Sequence, residues 1–220
     1  MNIQTQFSKY AKSYSQTNVI QKEIIQKYTD FINNKSILDL GCGNGSLLEF
    51  TTPKNYIGID FSKEMLDLNP NPNTFCFDFN TDECWNFIKH QNFEMFVSFS
   101  ALQWAKNLDF IFENIKNLNK PFLITLFTSN TFKTIHEITN LTSPIHSKET
   151  ILKASKMLNP KIETLSHKLY FKEKLEMFRY IKKSGVSGGE KKLSYKQIKN
   201  LIENYPLNYL EFETISIFNP

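Results

Sequence analysis

The sequence predicts a doubly wound α/β fold: a seven-stranded, mostly parallel sheet with an antiparallel last strand and helical lid elements. Three observations predict it. Short apolar, β-branched runs recur at roughly 15–25-residue spacings between Ser36 and Phe127, with amphipathic segments between them. The first run ends in three alternating glycines, Gly41, Gly43 and Gly45. After Phe127 the rhythm changes, and two long alternating segments follow.

Residues 1–34 read as a helical lid on a single domain spanning 1–220. In "VIQKEIIQKYTDFI", Val19, Ile20, Ile24, Ile25, Tyr28 and Ile32 form one stripe. Residues 35–127 form the ligand-binding core. Its strands are "SILDLG", "YIGID" (Tyr56–Asp60), "TFCFDF" (Thr74–Phe79), "FEMFVSFS" (Phe93–Ser100) and "PFLITLF" (Pro121–Phe127). Helices are expected at "SLLEF", at "SKEMLDL" with Ser62 as N-cap, at "TDECWNFIKH" from Thr81, and at "NLDFIFENIKNL". Residues 128–160 read as a helical insertion broken at Pro144. In residues 161–220, "KIETLSHKLYF" and "LNYLEFETISIF" alternate like the strands of a final antiparallel hairpin. Between them lie a helix, "KEKLEMFRYIKK", a glycine-rich loop, "SGVSGGEK", and a helix capped by Ser194, "SYKQIKNLIENY".

Composition narrows the function. With 220 residues, 40% hydrophobic and 22% charged, the chain suits one soluble domain with a large core. The net charge of +4 is uneven: Lys172 to Lys199 holds nine Lys or Arg against three Asp or Glu. That excess suits an acidic partner. Cys42, Cys76 and Cys84 show no CxxC and no zinc spacing with histidine, which predicts reduced thiols and no metal. The start "MNIQTQFSKYAKSY" has no apolar leader, and no run approaches the roughly 20 apolar residues of a membrane span, so a cytoplasmic protein is expected.

The glycine segment "LDLGCGNG" carries the chemistry. It follows a strand and precedes a helical segment. The next strand ends in Asp60, about 20 residues on, and the third carries Asp78. The spacing is GxGxG, and residue 46 is Ser where a dinucleotide fingerprint would hold its third glycine. Asp39 stands two residues before Gly41. A carboxylate there repels a pyrophosphate and favours a cation. S-adenosylmethionine (SAM), with an ammonium, a sulfonium and no phosphate, suits it.

"LDLGCGNG" resembles motif I of the class I SAM-dependent methyltransferases, and the order of elements agrees over nearly the whole chain. The resemblance implies a Rossmann-like fold that binds SAM and releases S-adenosylhomocysteine, with no metal. It implies that Gly41, Gly43 and Gly45 let the backbone approach the methionyl part and that Asp39 binds its amino group. Asp60 would take the ribose hydroxyls, Phe61 or Met65 would cover the adenine, and Asp78 with the Phe79 amide would meet its polar edge. Gln21 would contact the SAM carboxylate, and Ser98 on the fourth strand joins the cofactor set.

The acceptor is read elsewhere. After the fourth strand stands "SFSALQWAKN", without the Asn/Asp-Pro-Pro-Tyr loop of enzymes that methylate base amines or glutamine amides, and no aromatic-rich basic face suits nucleic acid. "SFSALQW" is similar to a segment of the malonyl-carrier-protein O-methyltransferases of biotin synthesis. Phe7, Ala11, Tyr14 and Gln21 resemble that family's opening. Thr131 and His136 in "TSNTFKTIHEI" match a further stretch, with Thr134 where the family has Glu. "YIKKSGVSGG" and "LSYKQIKNLIENYPLNYLEFE" resemble its C-terminal third. The resemblance implies methyl transfer to the free carboxylate of malonyl-acyl carrier protein, giving an ester that primes pimeloyl formation. A carboxylate is ionised at neutral pH and needs no general base. The candidate catalytic residues are Tyr14 as part of a lid, Trp104 as floor and His136 as donor or charge. Arg179, Lys182 and Lys183 are candidates to dock the acidic carrier. The alternatives are a methyltransferase of free small acids, of trans-aconitate type, and a SAM-binding regulator.

Overall fold

A computed structural model describes residues 17–183 and 194–219. The described residues open with helices α1 (Val19–Lys27) and α2 (Thr29–Ile32). The expected single helix breaks at Tyr28, whose φ of −113° leaves the helical range. Strands and helices then alternate: β1 (Ser36–Leu40), β2 (Asn55–Asp60), α3 (Lys63–Leu66), β3 (Thr74–Cys76), α4 (Asp82–Lys89), β4 (Met95–Phe99), α5 (Leu108–Leu118) and β5 (Phe122–Phe127). Next come α6 (Lys133–Thr139), α7 (Lys148–Ser155), β6 (Lys161–Tyr170), α8 (Lys174–Lys183), α9 (Tyr195–Asn204) and β7 (Tyr209–Asn219).

Local chemistry starts these helices. The side chains of Ser62, Thr81, Asn107, Ser147 and Ser194 each accept a backbone amide in the first turn, and Ser194 with Gln197 forms a full capping box. "SLLEF" forms only a 3₁₀ turn, Ser46–Glu49, because Gly45 enters it at φ 79° and Phe50 leaves it after a single turn.

The seven strands form one sheet in the order β3-β2-β1-β4-β5-β7-β6. Strands β1 to β5 pair in parallel, and β7 runs antiparallel to both β5 and β6. The last two strands are neighbours, yet they are joined through α8 and α9. The final strand therefore lies inside the sheet, where a simple terminal hairpin would have left it at the edge.

Alternate residues of β1 face opposite layers. Leu38 and Leu40 pack with Trp85, Ile88, Ile111, Phe112 and Ile151 from α4, α5 and α7. Ile37 packs with Ile20 and Ile24 of α1, Tyr28 between α1 and α2, Met177 of α8 and Leu201 of α9. Both layers hold the strands so that β1, β2 and β4 all end at one rim, where the chain reverses direction in the sheet order.

Candidate functional site: an acidic cleft at the glycine turn

A cleft of about 230 Å³ opens at that rim. Its floor is the turn after β1. Gly41 has φ +80°, and a Cβ there would lie 2.1 Å from the Ala101 Cβ, so the turn requires glycine for both conformation and space. The Asp60 carboxylate at the end of β2 spans two turns: Oδ2 accepts the Gly43 amide at 3.0 Å and Oδ1 accepts the Ser62 amide at 2.8 Å. Asp39 is buried and accepts the Tyr56 hydroxyl at 3.1 Å.

Among the described residues neither carboxylate forms an ion pair. Burial therefore dominates their titration. It pushes the Asp39 carboxyl up to about 7, against the pull of the Tyr56 hydroxyl, with the Asp60 charge raising it further. It pushes Asp60 up to about 6, against the amides of Ser62, Gly43 and Phe61.

The other walls come from three places. From the N-terminal side, Asn18 Nδ2 donates to Ser46 Oγ at 2.8 Å, and Ser46 Oγ donates to Asn44 Oδ1 at 2.8 Å, tying the start of α1 to the glycine turn. Gln21 is buried beside them, and its Oε1 has no partner among the described residues. Phe61, Met65, Phe79, Phe99 and Trp104 supply apolar surface. Beyond β3, Asp78 Oδ1 accepts from the Asn80 amide and side chain, and Asn80 Oδ1 accepts the Lys106 amide at 2.8 Å. The indole of Trp85 donates to the Phe79 carbonyl at 2.9 Å and anchors this wall to α4.

Of the residues singled out in the sequence, Gln21, Asp39, Gly41, Gly43, Asp60, Phe61, Met65, Asp78, Phe79 and Trp104 line the cleft. Three do not. Gly45 packs against Asn69 and Pro70, where a Cβ would approach Pro70 Cδ to 2.7 Å. Ser98 is fully buried and donates to the Leu40 carbonyl at 2.7 Å, so its hydroxyl braces β4 on β1 one residue before Gly41. His136 is half-buried on α6, outside the cleft lining, and burial lowers its imidazole pKa, which favours the neutral donor over the cation. Tyr14 lies outside the described residues. Arg179 is exposed on α8; Lys182 and Lys183 continue that helix, but their side chains lie outside the description.

Asn18, Asn44, Ser100 and Lys106 also line the cleft, and sequence reasoning missed them. Ser46, also in the lining, stands out in the sequence only as the residue where a dinucleotide fingerprint would hold glycine. Lys106 had one available signal, its place two residues after Trp104. The asparagines had none, because Asn recurs throughout this chain.

The cleft thus brings two buried carboxylates, the Gln21 amide and the glycine turn together beside an apolar wall. A model of the methyltransferase domain family matches residues 32–186. The chain belongs to the methyltransferase domain family. This methyltransferase-domain protein is 24% identical over 149 residues to a malonyl-[acyl-carrier protein] O-methyltransferase of Bacillus cereus, covering 61% of this chain and 55% of the relative. It is 27% identical over 147 residues to malonyl-[acyl-carrier protein] O-methyltransferase 2 of Ilyobacter polytropus, covering 56% and 51%. The chain thus spans about half the length of these two relatives. The match to a malonyl-[acyl-carrier protein] O-methyltransferase of Haemophilus ducreyi, 23% identical, covers 93% of this chain and 85% of the relative.

Solved structures agree on the fold. A SAM-dependent methyltransferase of Archaeoglobus fulgidus superposes with a TM-score of 0.55 at 15% identity, covering 94% of this chain and 97% of that one. Phosphoethanolamine N-methyltransferase 2 of Haemonchus contortus, in complex with SAM, superposes with a TM-score of 0.55 at 14% identity, covering 100% and 60%. The seven-stranded Rossmann-like methyltransferase architecture is thus that of the chain.

Proposed function

We propose that this methyltransferase-domain protein transfers a methyl group from SAM to the free carboxylate of a malonyl thioester on acyl carrier protein. The observation that carries the donor half is the pair of buried, cation-free carboxylates at the glycine turn. Bound SAM supplies an electrophilic methyl group on a sulfonium. Asp39 offers a negative charge to its ammonium, and the Gln21 amide offers an acceptor and a donor beside it. Asp60 keeps free lone pairs for ribose hydroxyls while holding the Gly43 amide. Phe61 or Met65 covers the purine, and Asp78 with the Phe79 amide meets its polar edge.

The acceptor half is supported by the names of the three relatives and by the "SALQW" segment, whose Trp104 lines the cleft. An ionised carboxylate attacks without a base, so Trp104 and the α1 lid have to align the acceptor and exclude water. Tyr14 is proposed as a donor to the malonyl carboxylate; His136, on α6 outside the cleft lining, would have to reach it from beyond that lining, as a neutral donor that leaves the attacking oxygen unquenched. Arg179, Lys182 and Lys183 would steer the acidic carrier.

The test is mass spectrometry of malonyl-acyl carrier protein after incubation with the protein and SAM. The expected result is a gain of one methyl group that mild esterase removes. Malonyl coenzyme A and free small acids, trans-aconitate included, run beside it. A faster rate on a free acid would overturn the carrier reading and leave the donor reading standing.

A further inference from the structure

Ser100 ends β4 in a conformation that few side chains adopt. Its φ is +55°, in the left-handed region, although it is not glycine. The turn it makes carries Ala101 across the rim until its Cβ occupies the space a Gly41 side chain would need. Ser100, Ala101 and Gly41 all line the cleft. A left-handed serine persists only where its surroundings hold it.

Gln103 supplies that hold. Its Nε2 donates to the Ser100 carbonyl at 2.6 Å, and the Ser100 amide donates to the Thr125 carbonyl at 2.9 Å. Gln103 is buried, 5% exposed, and its Oε1 has no partner among the described residues. A buried amide with one end unpaired is a poor packing choice; leucine would fill the same space without stranding an oxygen. The residue type is explained by what its nitrogen does.

We propose that Gln103 is a positioning residue, whose side-chain amide holds Ser100 left-handed and so presses Ala101 onto Gly41, fixing the cleft wall beside the donor. The inference rests on the donor half of the proposed function. It also makes a claim about the loop itself, which can be tested without any ligand.

The experiment compares Gln103→Leu, Gln103→Glu, Ser100→Gly and the pair Gln103→Leu/Ser100→Gly. Hydrogen exchange is read at the Trp104 and Ala105 amides, which bond to the Ala101 and Leu102 carbonyls in this turn. SAM affinity is read by calorimetry. Both Gln103 variants are expected to exchange at least tenfold faster at these amides and to bind SAM at least fivefold more weakly. Adding Ser100→Gly to Gln103→Leu is expected to recover most of both losses, because glycine reaches the left-handed region unaided. Native exchange in both Gln103 variants would overturn the proposal. So would a pair no better than Gln103→Leu alone, since a packing role gives glycine nothing to rescue. If the native protein failed to bind SAM, the donor reading would fall, and the exchange data would still decide the role of Gln103.

Discussion

Asp60 and Gly43 are joined across the cleft: the carboxylate at the end of β2 accepts the amide in the middle of the glycine turn at 3.0 Å. The second oxygen holds Ser62, so one side chain sets the turn after β1 and the entry to α3 together. Asp60→Asn keeps the volume but turns one acceptor into a donor facing an amide. An unsatisfied buried amide costs about 1–3 kcal/mol. The variant is expected to lose stability by that order in denaturant titration and to bind SAM more than tenfold more weakly. Native affinity in Asp60→Asn would remove Asp60 from the site.

Gly41→Ala tests the cradle. Overlap at 2.1 Å with Ala101 and a φ of +80° act together. Overpacking costs about 1–3 kcal/mol, and the left-handed backbone adds to it. Thermal unfolding should show the drop, and SAM binding should vanish. Gly45→Ala is expected to destabilise while keeping most of the affinity, since its Cβ meets Asn69 and Pro70, not the cleft.

The acid pair predicts a pH dependence of opposite sign for stability and for binding. Burial raises Asp39 to about 7 and Asp60 to about 6 from an ordinary 3.8. The folded state without ligand therefore binds more protons than the unfolded chain between about pH 4 and 7. Its stability falls as pH rises through that window and levels off above it. A cationic ligand prefers ionised Asp39 and must expel its proton below pH 7. SAM affinity should therefore rise by up to about tenfold per pH unit toward 7 and then flatten. Calorimetry in buffers of different ionisation heat should detect proton release at pH 6, and Asp39→Asn should abolish most of it. A flat affinity profile from pH 5.5 to 8 would contradict the charge pairing.

Charge reversal at Arg179, Lys182 and Lys183 tests carrier docking. At low salt the triple variant should raise KM for malonyl-acyl carrier protein at least tenfold, with little change for malonyl coenzyme A. The difference should shrink at high salt as screening removes the attraction. Unchanged turnover of the carrier substrate at low salt would end the docking proposal.

Much of this was legible in the residues, and the exceptions have physical causes. Five parallel strands showed themselves because each carries an apolar run closed by a turn residue. The apolar run of the third spans Thr74–Phe79, yet the strand ends at Cys76, because it pairs with β2 alone and leaves that partner after Cys76. The position of β7 was not legible. Alternation with period two reports a half-buried strand and says nothing of its neighbours. Asp39, Asp60 and the glycines could be read because their spacing is set by backbone geometry. Asn18 and Ser46 could not, since a lateral hydrogen bond between residues 28 apart leaves no periodic trace. Ser98 misled because it lies at the right height in β4 with its hydroxyl bonded into the sheet instead of the cleft.

The interior place of β7 has a consequence for synthesis. Residues 209–219 emerge after everything they bind, and they separate β5 from β6 in the finished sheet. During translation, β5 waits with an open edge along Phe122–Phe127, a six-residue apolar strand with both faces destined for the core. A ribosome stalled before Tyr209 would present a nascent chain with that edge bare and β6 without its one partner. Such a chain exposes unpaired backbone on β5 and β6 together until residues 209–219 join the two.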